Sequence, residues 1–265
     1  GLVGSEMCIR DRMVTLLLNS IATKMDKHEE LLFQPNVNSS INNIRDVTLS
    51  LSEHETIQIS SDSDFSAFPG SGTEEDPYII EGYNITTDAD NGIHIQDTTK
   101  YFIIRNCYID AYKRGVYISN VANNTAKIIN NTITNNNYDG IYLRYSDFAT
   151  ITNNTITNNG QGIYLGDSVN ATITGNTLIN NNGNGIQVAW SSNYATITCN
   201  TITNNTGDGI YLEYSSDFAT ITCNTITNNT GDGIYLYSSD FATITCNTIT
   251  NNNEYGGIYL YGGIN

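Results

Sequence analysis

The chain has 265 residues, a formal net charge of −16 and only 14% charged residues, and no Lys or Arg occurs after Arg144. A surface without cations cannot neutralise phosphates, which argues against nucleic acid and anionic membrane surfaces as partners. No run of eighteen apolar residues occurs, so the sequence holds no membrane-inserting helix, and neutral glycans and divalent cations remain as ligand classes.

Residues 2–12 read LVGSEMCIRDR and resemble the in-frame translation of a sequencing-library adapter; residues 1–12 are set aside from the fold as an artefact, and Cys8 with them. Residues 13–54 show no periodicity and are expected to be poorly structured or to cap the domain that begins after them. ETIQIS (55–60) alternates as a strand does, and PGSGTEEDP (69–77) is a turn-rich leading loop. The domain is expected to span 55–265, with full coils from about Pro77 and a C-terminus truncated inside a copy of the repeat, YGGIN.

From there the sequence repeats. A glycine followed by an apolar–x–apolar triplet recurs at Gly92, Gly115, Gly140, Gly162, Gly185, Gly209, Gly233 and Gly257, at spacings of 23, 25, 22, 23, 24, 24 and 24. Periods of this size mark a solenoid. Each period also holds an ATIT-like and an NTIT-like segment, as at Ala149 and Asn154, giving three short runs of period-2 alternation rich in β-branched residues. Helix is disfavoured by the abundance of Asn, Thr and Gly.

Alternation turns Ile141 and Leu143 inward and Tyr142 outward, Ala149 and Ile151 inward, and Ile156 inward. Each buried aliphatic side chain contributes roughly 1.5–3 kcal/mol. Ordering each residue of the coil costs roughly 1–2 kcal/mol. One coil therefore cannot fold alone and must hydrogen-bond to coils about 4.8 Å above and below. The expected fold is all-β: a right-handed, single-stranded, three-faced parallel β-helix of eight to nine coils with an N-terminal cap in residues 31–75. Asparagines in the turns, Asn153, Asn154, Asn176, Asn200, Asn224 and Asn247, are expected to stack as an amide ladder.

The stretch GSGTEEDPYIIEGYNI, with its succeeding coils of the form NNTITNN and GIYL-like strands, resembles the right-handed parallel β-helix proteins of the pectate-lyase-like superfamily, nearest the branch containing NosD and the carbohydrate-binding and sugar-hydrolase domains. The resemblance covers about residues 55–265. It implies the fold and a secreted or cell-surface location. For function it implies a carbohydrate-binding or structural protein, with a polysaccharide lyase, a glycoside hydrolase or a copper-maturation accessory protein as alternatives. Lyases of this superfamily usually combine Ca²⁺-binding acids with a basic residue, and the C-terminal coils hold no Lys or Arg.

The outward column of the Gly-led strand reads His94, Tyr117, Tyr142, Tyr164, Gln187, Tyr211, Tyr235 and Tyr259, joined by Tyr237 and Tyr261 two residues on. Stacked in register, these tyrosines would form a flat aromatic stripe suited to sugar rings, or a self-stacking ladder that stabilises the sheet. Asp208 and Asp232, with Glu213 nearby, are the candidate catalytic carboxylates or Ca²⁺ ligands; the competing reading makes Asp139, Asp208 and Asp232 turn residues ahead of glycine, and Asp147, Asp217 and Asp240 a second such column. Cys199, Cys223 and Cys246 share one repeat position and are expected to form a buried thiol ladder, a soft-metal site being the competing reading. The outward threonine pairs, such as Thr196/Thr198 and Thr220/Thr222, form a two-column array of the kind seen on ice-binding surfaces, or serve as ordinary outward strand residues.

Overall fold

The structure, a computed structural model, describes residues 51–253 and 256–262. The adapter-like segment and residues 13–50 of the expected cap lie outside the described residues. Short strands, mostly three or four residues long, succeed one another in a fixed order of three, and each pairs in parallel with its counterpart one period away. Three sheets result among the described residues: sheets A and B of nine strands and sheet C of eight. One coil runs C, A, B, as in β12 (Thr150–Thr152), β13 (Thr155–Thr157) and β14 (Gln161–Gly166). The winding is right-handed, as crossovers between parallel strands are.

The winding reaches further back than the repeat suggests. β1 (Ser52–His54) pairs with β4 (Tyr83–Thr87), and β2 (Ile57–Ile59) with β5 (Ile93–Gln96), adding a partial coil before Pro77. A 3-10 helix (Asp62–Ala67) then places Phe65, fully buried, against Tyr78 and Phe102 at ring separations of 4.8 and 5.5 Å. The Asp62 carboxylate accepts hydrogen bonds from the Thr98 hydroxyl, the Thr99 amide and the Thr99 hydroxyl, which tie this helix to the next coil. The Thr98 hydroxyl in particular holds the carboxyl below its usual range.

The core is a column of aliphatics. Ala149, Ile151, Ile156, Ile163 and Leu165 of one coil are all at most 1% exposed, and matching residues lie directly above and below. Burying a polar backbone corner beside such a core requires partners for its amides, and each of the three corners solves this with a ladder. At the C-to-A corner, Asn131, Asn154, Asn176, Asn200 and Asn224 are buried, and each receives the amide of the coil before it, as in Asn154 N–H to Asn176 Oδ1 at 2.9 Å. Cys107 stands at the foot of this ladder and donates its amide to Asn131 Oδ1 at 3.0 Å. Asn153, expected in the ladder, is instead the exposed residue of the turn, with φ of 56°. The turn needs one left-handed residue, and that reversal points Asn153 outward and its neighbour in.

The other two corners carry ladders that the repeat pattern does not announce. At the A-to-B corner Asn136, Asn159, Asn181, Asn205 and Asn229 form a second buried ladder. At the B-to-C corner, buried serines do the same, with Ser146 N–H donating to Ser168 Oγ and Ser168 N–H to Ser192 Oγ at 2.9 and 3.0 Å. The recurrent glycine has a steric cause: a Cβ at Gly209 would lie 2.6 Å from the Gly233 carbonyl oxygen of the next coil and collide with Ile226 Cγ2.

Candidate functional site

Sheet B presents its outward residues in strict register: His94, Tyr117, Tyr142, Tyr164, Gln187, Tyr211, Tyr235 and Tyr259 occupy successive coils. All six of these tyrosines are half-buried. Neighbouring rings lie 5.1 Å (Tyr117–Tyr142), 4.9 Å (Tyr142–Tyr164) and 5.0 Å (Tyr211–Tyr235) apart, at interplanar angles of 17°, 5° and 23°. Near-parallel rings this close must overlap as offset stacks rather than lie side by side. The column is therefore a ladder of overlapped rings presenting edges and hydroxyls. It is also divided: Gln187 falls between the two stacks and donates to Glu213 Oε1 at 2.6 Å. Tyr237 and Tyr261 stack beside the second segment at 5.5 Å.

Desolvation raises the pKa of several of these phenols. Tyr164 is pushed up to about 12. Tyr211 is raised further, first by burial and then by the Glu213 charge. Glu213 is itself buried. At the N-terminal end, burial holds His94 below the usual imidazole range, its ring packs edge-on against Tyr117 at 4.4 Å, and its Nε2 is buried without a hydrogen-bond partner.

Beside the first stack lies a cleft of about 340 Å³ lined by Arg114, Asn137, Tyr138, Asp139, Tyr142, Gly160, Gln161 and Tyr164. Arg114 Nε donates to Asp139 Oδ2 at 2.7 Å, and its guanidinium carbon sits 4.5 Å from the centre of the Tyr142 ring, a cation–π contact. The Asp139 side chain is 9% exposed. Burial pushes its carboxyl above the ordinary range, against the pull of Arg114. Gln161 Oε1, in the same wall, is a buried acceptor without a partner. Sequence pattern groups Asp139 with the turn aspartates and misses this site. The available signal is that Arg114 and Asp139 both immediately precede the strand glycine in consecutive coils, so parallel register sets opposite charges one above the other.

The other acids are placed differently. Asp208 Oδ1 accepts the Asp232 amide at 2.6 Å, Asp232 Oδ1 accepts the Gly256 amide at 2.9 Å, and Asn184 Oδ1 accepts the Asp208 amide at 2.7 Å. These carboxylates thus continue a turn ladder. Asp147 and Asp217 do the same one corner on, accepting the amides of Val169 and Asp240. Among the described residues no three His, Cys, Asp or Glu side chains converge on one point. The expected buried thiol ladder is corrected: Cys199 and Cys223 are half-buried and Cys246 is exposed, because they occupy the outward left-handed turn position that Asn153 holds lower down. The threonine columns are in register, and several hydroxyls bond to one another, as Thr222 to Thr245 at 3.1 Å. No helix among the described residues is long and apolar enough to cross a membrane.

Residues 36–202 match the family described as right handed beta helix region, and residues 170–265 match the family described as periplasmic copper-binding protein (NosD). No curated protein matches the sequence. Among solved structures, a variant of the periplasmic alginate epimerase AlgG superposes with a TM-score of 0.54 at 16% identity, covering 72% of this chain and 57% of that one. Pectate lyase Pel9A superposes with a TM-score of 0.55 at 12% identity, covering 82% and 67%. Full-length tailspike protein 2 of an Escherichia coli O157:H7 bacteriophage gives 0.53 at 14%, covering 81% and 38%. The chain thus spans little more than half the length of the epimerase and well under half that of the tailspike, and at these identities the likeness is one of fold. With more than half its residues matched by the family and its three stacked parallel sheets, the chain belongs to the right-handed β-helix family.

Proposed function

We propose that this is a non-catalytic, carbohydrate-binding β-helix protein acting outside the cytoplasm, with sheet B as its glycan-contacting face. The observation that carries the reading is the union, on one face, of a register-locked tyrosine column and an open cleft holding Arg114, Asp139 and an unpartnered Gln161 oxygen. A glycan lying along the helix axis meets ring edges, phenol hydroxyls and amide groups at intervals of about 4.8 Å, the strand spacing. Half-covered rings still offer CH-to-sugar contact at the free ends of each stack, and hydroxyl-rich ligands suit a face whose polar groups are neutral or paired. The AlgG and Pel9A names, an alginate epimerase and a pectate lyase, agree with polysaccharide as the ligand class, and the NosD description agrees with a periplasmic or extracellular location.

A glycan-array screen tests this with wild type, Tyr142→Ala/Tyr164→Ala and Tyr211→Ala/Tyr235→Ala. Binding by wild type that falls at least tenfold in either double variant is expected. Absence of wild-type binding, or equal binding by all three, sinks the reading.

A catalytic reading is favoured by one observation, the buried carboxyl of Asp139 with a raised pKa, in an open cleft that it shares with Arg114 and three tyrosines. It moves the candidate chemistry from Asp208, Asp232 and Glu213 to Arg114, Asp139 and Tyr142. Release of reducing ends or unsaturated products from a polysaccharide panel, lost in Asp139→Asn, would establish it. Ca²⁺ remains a ligand to be tested by titration, with the stacked Asp208 and Asp232 as its oxygen donors. For copper, as the NosD description suggests, the soft donors on the coils are thiols, and they do not form a closed cage.

A further inference from the structure

Independently of the glycan reading, we propose that Cys199, Cys223 and Cys246 form a linear array that binds soft monovalent cations, such as Cu(I) or Ag(I), one between each neighbouring pair of thiolates. The three residues occupy the outward position of the C-to-A turn in successive coils, with φ of 55°, 57° and 57°. Lower coils fill the same position with Asn106, Asn130, Asn153 and Gly175, residue types that tolerate left-handed backbone. Three consecutive coils thus abandon the conformationally suited residues for cysteine, and none of the three is fully buried: Cys199 and Cys223 are half-buried and Cys246 is exposed.

Register fixes their spacing. The Cys199 amide donates to the Thr222 carbonyl and the Cys223 amide to the Thr245 carbonyl, each at 3.2 Å, so the cysteines repeat at the coil rise of about 4.8 Å. The first two sulfurs make the same contact: Cys199 Sγ lies 3.5 Å from Thr198 Oγ1 and Cys223 Sγ 3.6 Å from Thr222 Oγ1, while Cys246 shares their turn backbone, with φ of 57°. The Cys199 and Cys223 sulfurs therefore stack at about the coil rise, and the proposal extends that column to Cys246, one coil on at the same turn position. Two metal–thiolate bonds of about 2.3 Å laid end to end span about 4.6 Å. A two-coordinate cation fits between adjacent sulfurs with a shift of a few tenths of an ångström. Zn²⁺, which takes four ligands, is disfavoured, since no three donors converge among the described residues. Thiolate donors select soft ions. Each S–H gives its proton to solvent as its metal–sulfur bond forms, and no electron is transferred.

The test uses the reduced full-length chain under anaerobic conditions, titrated with Ag(I) and, separately, with Cu(I) in competition with a chromophoric Cu(I) chelator. Wild type is expected to bind about two ions per chain above the background of a variant with all three cysteines changed to Asn, which keeps Cys8 and Cys107. Asn is chosen because lower coils use it at this position, and circular dichroism checks the fold. Cys223→Asn separates Cys199 from Cys246 by two coil rises, about 9.6 Å, and should abolish both ions. Cys199→Asn or Cys246→Asn should lose one. Stoichiometry that simply tracks the number of cysteines, or that equals the triple-variant background in wild type, overturns the proposal.

Discussion

Replacing Asn176 with Ala removes one rung from the C-to-A ladder. Asn176 is 1% exposed. Its Oδ1 accepts the Asn154 amide at 2.9 Å and Asn154 Nδ2 at 3.0 Å, while its Nδ2 donates to the Ile151 carbonyl at 2.9 Å and to Asn200 Oδ1 at 3.0 Å. In the variant the Asn154 backbone N–H is left buried with its ladder acceptor gone, which costs about 1–3 kcal/mol. The three remaining lost bonds contribute about 1 kcal/mol each, so the expected loss is about 4–6 kcal/mol. Asn153→Gly, one coil below at the exposed left-handed turn position, is the control, and should stay within about 0.5 kcal/mol of wild type. Urea denaturation monitored by circular dichroism measures both. Because a solenoid can melt coil by coil, hydrogen exchange at the peptide containing Asn154 is the second readout and should quicken in Asn176→Ala only. A loss under about 1 kcal/mol, or equal effects from the two substitutions, would refute the assignment of the ladder as the corner's structural support.

Gly209→Ala places a Cβ against Ile226 and 2.6 Å from the Gly233 carbonyl; a stability loss of about 1–3 kcal/mol is expected from urea midpoints, and a neutral result would show that the coils slide apart freely. The folded-state pKa of Asp139 is raised by burial from 3.8, so the proton it holds favours the folded state below that value and the benefit is lost as pH rises through the folded pKa. Across that acid window wild-type stability should therefore fall relative to Asp139→Asn, and a constant gap between the two denaturation series would contradict the burial argument. In an ultraviolet titration, Tyr164→Phe should remove absorbance change near pH 12 and leave the ordinary tyrosine step, near about 10, unchanged.

The tyrosine and cysteine arrangements illustrate how far the linear pattern carries. Spacing alone tells that Tyr211 lies over Tyr235, because a fixed period with inward Ile and Leu permits only one register: a one-residue slip would turn the whole aliphatic set to solvent. The same reasoning puts Cys199 under Cys223. Spacing cannot tell that Gln187 splits the tyrosine column by bonding to Glu213, since that depends on a side chain of the next coil.

What the sequence by itself determined is the parallel solenoid, its three strands per coil and its apolar interior, all consequences of periodicity in side-chain polarity. The tertiary structure decided which of two adjacent asparagines enters the core, since Asn153 and Asn154 differ only in the handedness of one turn residue. It also decided that Asp139 is ion-paired with Arg114 at 2.7 Å beside an open cleft. A carboxylate's role is set by the neighbour that register brings to it, a backbone amide in one coil and a guanidinium in another, and that neighbour is fixed only when the coils stack.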